Sequence, residues 1–337
     1  MATKAATLQH VAELAGVSVG TASRALTGRG RVAEETRRRV REAAESLAFS
    51  PNSGASNLRK ARAGTIGLWL PPSLRFMDFY MNFAFGVVEA ADEQELSVSL
   101  VPQSLSPARA RGLHVDGFVM SDVVGGDPLA RAILASGKPV VTSERVPDGM
   151  PAPTASLSGD HVGATHDILE RLQRAGARSA VVLVPEISQT WALEVREGAA
   201  RWQQPDGMQV SVTLLTSFPS AAELQAIVAR ALDSVEDVDA FVCAADGLAL
   251  GVLSALQELG RSVPDDIQLV SYTDSAAMPI VLPPIAALDL RPHEAGLRAA
   301  RRLVHALEAA RSGALPGETT VEPFELEFRP RASLRAD

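Results

Sequence analysis

Apolar residues follow two different spacings along the chain: an N-terminal stretch reads as helices, and a long remainder reads as strands alternating with helices. Leu8, Val11, Ala12 and Ala15 fall at i, i+3, i+4 and i+7, which predicts a short first helix with one apolar stripe. Gly16-Val17 then turns the chain, and Ser18 stands where it can cap a second helix. Val17, Ala22, Ala25 and Leu26 face back onto the first helix, which leaves Val19, Gly20, Thr21, Ser23 and Arg24 to face outward. A third helix is predicted over about 34–49, with Val40, Ala43, Ala44 and Leu47 on one face and Glu34 and Glu35 in its first turn, where the helix dipole favours acids.

From Thr65 onward the pattern changes. Short aliphatic runs (TIGLWLP, SVSLVPQ, DGFVMSD and PVVTSE, then AVVLVP, VSVTLLT, AFVCAAD and QLVSYTD) alternate with helical segments over 79–95, 160–175, 187–203, 220–234 and 247–259. Runs of this kind between helices predict parallel strands buried on both faces, hence a doubly wound α/β architecture. At 337 residues there is length for two such sheets, with a ligand where the carboxyl ends of their strands meet.

Two short helices broken by a Gly-containing turn are the sequence form of a helix-turn-helix, which lays its second helix in the DNA major groove; a plain three-helix cap has similar spacing. Charge separates the two readings. Residues 1–62 hold eleven Lys/Arg against five Asp/Glu, a net +6, so the remainder carries −14 of the total −8. A basic head on an acidic body suits a polyanion-binding module joined to a regulatory domain. In the segment SPNSGASNLRK (50–60), Pro51 can start a short helix, and Leu58 stands beside Arg59 and Lys60. Such a leucine is either a wedge for the minor groove or an incidental residue of a linker.

The single cysteine, Cys243, leaves no intramolecular disulfide and suits a reducing compartment. Without an apolar leader or a span-length apolar run, a cytoplasmic location is expected. Gly16-Val17-Ser18-Val19-Gly20 matches the nucleophile-elbow pattern but follows a helix where that motif needs a strand. There is no phosphate-binding loop, zinc-protease motif or cysteine cluster. His161 and His166, five apart beside Asp160, are off the i, i+4 spacing of a helical metal pair, and surface or capping roles are expected for them. No enzymatic activity, cofactor or metal is expected.

Residues 7–70 carry TLQHVAELAGVSVGTASRALTG, RVAEETRRRV, SPNSGASNL and TIGLWLP in that order. In this the chain resembles the LacI/GalR family of bacterial transcription regulators, and the likeness continues more weakly through AADGLALG, VPDDIQLVSYTD and FELEFRP. The resemblance implies an all-α helix-turn-helix head (1–50) and a hinge helix with linker (51–63), then a periplasmic-binding-protein-like core (64–330) of two doubly wound parallel-sheet subdomains. The N-subdomain would take about 64–160 and 289–318, the C-subdomain 161–288 and 319–330, with 331–337 as a tail. It further implies a homodimer on a pseudo-palindromic operator, most simply a repressor under the allosteric control of a small-molecule effector such as a sugar or related metabolite. The FELEFRP strand lies about seven residues from the end with no heptad tail after it, so a dimer is expected rather than a tetramer.

Carried over by position, Val19, Gly20 and Arg24 would read bases, Leu58 would enter the central base step, and Thr7, Ser18, Thr21, Ser23, Arg31, Asn52 and Ser53 would join the DNA contacts. Val19 offers only a methyl contact and Gly20 no side chain, so Arg24, the hinge and DNA shape are expected to carry recognition. Departures from the family pattern include Ala33, where a capping Ser is usual, and Gly54 and Ser56 in the hinge. A glycine inside so short a helix costs about 1 kcal/mol, so the hinge is expected to fold reluctantly.

For the effector, the resemblance nominates Phe79, Tyr80, Trp191, Arg196, Phe218, Asp246 and Asp274. Several polar groups that grip sugar hydroxyls in the family are missing or moved. Val195 stands three residues before Gly198 where an Arg is common, with Arg196 displaced by one; Ala245 replaces an Asn, and Thr273 the first of two acids. Two readings follow: a less hydroxylated or larger effector, or a poorly functional pocket whose aromatics cap the core. The segment 104–114 is too short for a full crossover helix. From a different class, a cytosolic small-molecule sensor or solute-binding protein whose basic head serves another partner also accounts for the chain; steep salt-dependent DNA affinity separates the two.

Overall fold

The computed structural model describes residues 6–27, 31–49, 62–72, 77–202, 207–216, 219–234, 237–314 and 317–335. They fall into two units, 1–63 and 64–337. The first holds α1 (Leu8–Leu14), α2 (Val19–Thr27) and α3 (Glu34–Ser46). Its core is small: Val11, Ala12, Ala15, Ala22, Ala25, Val40, Ala43 and Ala44 are buried, with Leu8, Val17, Leu26 and Leu47 packed at the edge. Mostly alanines, they let the three helices approach closely. Helix α3 stops at Ser46, short of the expected 49, because Ala48 turns left-handed (φ 47°) and the Phe49 N–H bonds back to Ala44 O at 2.8 Å.

In the second unit the aliphatic runs become two six-stranded sheets. The first contains β1 (Thr65–Trp69), β2 (Ser97–Leu100), β3 (Phe118–Met120), β4 (Val140–Thr142), β5 (Ala155–Gly159) and β11 (Thr320–Phe324), in the order β11-β5-β4-β3-β1-β2. The second contains β6 (Ser179–Pro185), β7 (Gln209–Leu215), β8 (Ala240–Cys243), β9 (Gln268–Ser271), β10 (Ala286–Asp289) and β12 (Glu327–Arg329), in the order β12-β10-β9-β8-β6-β7. All pairings are parallel except β12 with β10. Central strands such as β1, β3, β8 and β9 are buried almost throughout, as continuous aliphatic runs in parallel sheets require, whereas the edge strands β2 and β7 expose three of four and three of seven residues.

Helices cover both sheets. In the first lobe α4 (Met77–Asp92) crosses α11 (Pro292–Arg311) at backbone contact. A Cβ on Gly86 would lie 2.0 Å from His293 O, and one on Gly296 would lie 2.1 Å from Phe83 O, so this crossing demands glycine on both sides. The 104–114 segment holds a single helical turn, α5 (Pro107–Ala110), while α6 (Pro128–Leu134) was not anticipated from the aliphatic pattern; Asp127 caps it by accepting the Ala130 N–H at 2.7 Å. The second lobe carries α7 (His161–Arg174), α8 (Thr190–Arg201), α9 (Ala221–Ser234) and α10 (Leu248–Glu258).

The chain passes between the lobes three times: after β5, after β10 and between β11 and β12. Two expectations need correcting. Residues 320–324 were assigned to the C-subdomain, but β11 pairs with β5 from Thr320↔Ala155 to Phe324↔Gly159 and belongs to the first sheet. Residues 331–335 are not a free tail. Ser333 is fully buried, its Oγ accepting the Ala286 N–H at 2.8 Å, and Arg331 forks onto Asp274 at 2.9 and 2.7 Å. An apolar-pattern reading misses both, because the segment is charged and its anchoring is polar.

Candidate functional site: a DNA-reading head and an interlobe cleft

On the head, Thr7 caps α1 in a reciprocal box, its Oγ1 accepting the His10 N–H at 3.4 Å while the Thr7 N–H reaches His10 Nδ1 at 3.3 Å. Ser18 caps α2 by accepting the Thr21 N–H at 3.1 Å. Helix α3 begins at Ala33 with no side-chain cap. Arg39 donates to Ala15 O at 2.9 Å and so ties α3 to the end of α1. The outward face of α2 and its cap leaves Ser18, Gly20 and Arg24 exposed and Val19 46% exposed, with Thr21 and Ser23 half-buried. Arg24 Nε bonds to Gly20 O at 3.1 Å, which aligns its guanidinium along the amino-terminal turns of α2. Arg31 is exposed before α3. Asn52, Ser53 and Leu58 lie outside the described residues.

In the second unit a cleft of about 180 Å³ opens where the carboxyl ends of strands from the two lobes face one another. Phe79 and Tyr80 of α4, Trp191 of α8, Tyr272 after β9 and Phe324 of β11 form much of its wall. The Phe79 and Tyr80 rings meet edge-on, centroids 5.2 Å apart. Its charged groups are Asp122 beyond β3, Glu144 beyond β4, His161 at the start of α7 and Asp246 beyond β8. Of the residues nominated by resemblance, Phe79, Tyr80, Trp191 and Asp246 line the cleft. Arg196 and Asp274 do not: Arg196 is half-exposed on α8, and both Asp274 oxygens are taken by Arg331. Phe218 lies outside the described residues.

Sequence reasoning passed over Asp122, Glu144, Gln189 and Tyr272, all of which line the cleft. A signal was present, since the runs DGFVMSD and PVVTSE each end on an acid at the carboxyl end of a parallel strand. His161 corrects the expectation of a surface or capping role. It is 2% exposed, with Nδ1 3.1 Å from the Tyr272 hydroxyl and Nε2 3.1 Å from Glu144, while Asp160 is the residue that caps α7. His166 is half-buried and bonds Gly198 O at 2.9 Å. Among the described residues no group of three His, Cys, Asp or Glu is placed to hold a metal.

The electrostatics of the cleft follow from burial. Desolvation, helped by the Glu144 charge, pushes the Asp122 carboxyl up to about 7, even though the Tyr80 hydroxyl donates to it at 2.9 Å. Burial and the neighbouring Asp78 push Asp246 up to about 6. Burial alone would lower the His161 imidazole, but the Glu144 carboxylate more than reverses this and leaves it above its ordinary value. The Tyr80 phenol is pushed well up by burial and then by Asp122. Asp122 also holds a left-handed backbone (φ 47°), a strained conformation of the kind kept at ligand sites.

Hydrogen bonds strap the lobes together around the cleft. Gln189 Nε2 donates to Asp122 O at 2.8 Å, the Gly125 N–H to Ser188 O at 2.9 Å, and Thr190 Oγ1 to Arg145 O at 2.6 Å, with Arg145 also paired to Glu194. Any ligand between Phe79, Tyr80 and Trp191 would touch both halves.

Residues 7–52 match the model of the bacterial regulatory proteins of the lacI family, and residues 169–334 match a periplasmic binding protein-like domain. Residues 7–52 are thus a head of the lacI family of bacterial regulatory proteins, and the chain as a whole is similar to regulators that carry such a head. The regulator is 29% identical to the HTH-type transcriptional regulator CelR of Thermobifida fusca, over 98% of this chain and 97% of that protein. It is 26% identical to a solved transcriptional regulator CelR–cellobiose complex, covering 97% and 99% of the two chains with a TM-score of 0.68. The fold also matches the lac repressor dimer bound to operator and the anti-inducer ONPF, at 23% identity, 99% and 100% coverage and a TM-score of 0.77. The family consists of transcription regulators, not enzymes. No described helix is long and apolar enough to cross a membrane.

Proposed function

We propose that the regulator is a homodimeric repressor that grips a pseudo-palindromic operator through two heads and is released or tightened by a small molecule bound in the interlobe cleft. The observation that carries the reading is the strapped cleft: its wall and straps come from both lobes, so an occupant that favours one lobe angle over another biases the chain between two conformations. Val19 and Arg24 on α2 are the base-reading side chains, and residues 51–63 form the hinge with Leu58 as its wedge. The dimer is supported by the outer face of α4, where Met81, Phe85 and Val88 fall at i, i+4 and i+7 and are 40%, 57% and 48% exposed, beside Leu100 of β2 at 62%. On the second lobe Ile280 and Leu282 are about as exposed as in an unfolded chain, at 79% and 80%. A second copy seated on these faces would take the exposed apolar side chains out of water.

The experiment is to recover and sequence the genomic DNA fragments that the purified chain retains at physiological salt. Enrichment of one near-palindrome with a central pyrimidine–purine step is expected, and retention of no specific sequence would refute the operator reading. Sedimentation of a stable tetramer would count against the dimer.

A further inference from the structure

The polar atoms of the cleft are unevenly spent. Trp191 Nε1 donates to Gln189 Oε1 at 3.0 Å, and the Gln189 amide donates to Asp122 O. Both His161 nitrogens face partners, the Tyr272 hydroxyl and Glu144. The Tyr80 hydroxyl donates to Asp122. The nitrogen donors of the wall are thus committed within the protein, whereas the carboxylates of Asp122 and Asp246 keep acceptor capacity. Among the described lining residues there are three carboxylates and one imidazole, and no lysine or arginine. Arg145 is taken by Glu194, and Arg291 and Arg298 stack on the Phe324 ring at 5.6 and 5.2 Å. A polyol needs donors and acceptors in return for its hydroxyls; apart from the Thr216 and Thr273 hydroxyls, this wall offers mainly acceptors set among aromatic rings.

We propose that the cleft takes a small organic cation, a protonated amine on a ring-sized apolar body, held between Asp122 and Asp246 against Phe79, Tyr80 and Trp191. This rests on the reading of the cleft as the effector site. Asp122 and Asp246 come from opposite lobes and line the same cleft as Tyr80, whose hydroxyl donates to Asp122, so an ammonium group beside that ring would draw the lobes together through two charge-assisted hydrogen bonds and ring faces. Burial resists ionising both acids, and a cation placed between them offsets that resistance. Asp122 is faced by Tyr80, Glu144 and His161, and Asp246 by Asp78, Tyr80 and the Gly247 N–H. Amine affinity therefore rises with pH from 5 to 8 as the two carboxyls ionise.

The test uses the full chain in titration calorimetry and thermal-shift measurements with 2-phenylethylamine and cyclohexylamine, their neutral counterparts 2-phenylethanol and cyclohexanol, and glucose and cellobiose. At pH 8 each amine is expected to bind about tenfold more tightly than its alcohol. Asp246→Asn should abolish most of that preference while the variant keeps the wild-type melting temperature or exceeds it. Equal binding of amine and alcohol, or an amine preference untouched by Asp246→Asn, overturns the proposal. Stabilisation by glucose or cellobiose and not by amines also overturns it but leaves the effector reading standing, whereas no response to any of the six compounds counts against both.

Discussion

On the head, Ser18, Val19, Gly20 and Arg24 stand in solvent along one helix and its cap, whereas in the cleft Asp122, Glu144 and His161 arrive from three separate elements and are buried or nearly so. On the proposed reading the head meets its target with side chains that folding already leaves in solvent, and its small alanine-rich core has only to hold three helices at fixed angles. The cleft holds carboxyls away from water before any ligand arrives, so folding and binding oppose each other there. A substitution at the reading face of the head should change binding and spare stability, while one at a cleft carboxyl should move the two in opposite directions.

The largest effect is expected where that contrast is broken from inside the head. Val40 is fully buried among seven other small residues, and Val40→Asp should cost more than about 3 kcal/mol, enough to unfold the head. DNA retention would be lost while the calorimetric transition of the second unit stays in place; one common loss of both would show the units to be energetically inseparable.

Asp122→Asn comes next. The Asp122 carboxyl titrates at about 7 in the folded chain and near its ordinary value when unfolded. Below the unfolded value it is protonated in both states and imposes no penalty; as pH rises toward and through 7, stability is progressively lost because the buried group is being forced to ionise. The asparagine variant escapes this and should be more stable than wild type by about 2 kcal/mol at pH 8, the gap closing toward pH 4. Urea unfolding at the two pH values measures it, and a gap that does not depend on pH would deny that Asp122 carries the cost.

Arg24→Ala should reduce specific operator affinity by about 1–3 kcal/mol and leave the melting temperature within experimental scatter. Undiminished binding would remove Arg24 from recognition and throw the weight onto the hinge. The smallest effect is expected from Ala33→Ser, which supplies the side-chain cap that α3 lacks and should stabilise the head by about 0.5–1 kcal/mol without altering the second unit.

The two regions also differ in how legible they were. The Leu8–Ala15 stripe, the Gly16 turn and the Ser18 cap are local, and the structure puts Val11, Ala12, Ala15, Ala22 and Ala25 in one core as their spacing requires. The aliphatic runs of the second unit likewise became parallel strands, since a continuous run can bury both faces only inside a sheet. Phe79, Tyr80, Trp191 and Asp246 were legible through family resemblance, but Asp274 was drawn off by Arg331, a residue 57 positions away with no mark in the sequence to link them.

The sequence by itself determined the helix-turn-helix, its charge, the strand–helix alternation and the chemistry available at the strand ends, because each depends on neighbours within a turn or two of chain. Only the tertiary structure decided that β11 joins the first sheet, that Ser333 and Arg331 lock into the second lobe, and that Glu144, His161 and Tyr272 meet across 111 residues of chain from His161 to Tyr272. Those choices turn on hydrogen bonds and desolvation between distant groups, and a buried carboxyl acquires its character only from what is brought to surround it.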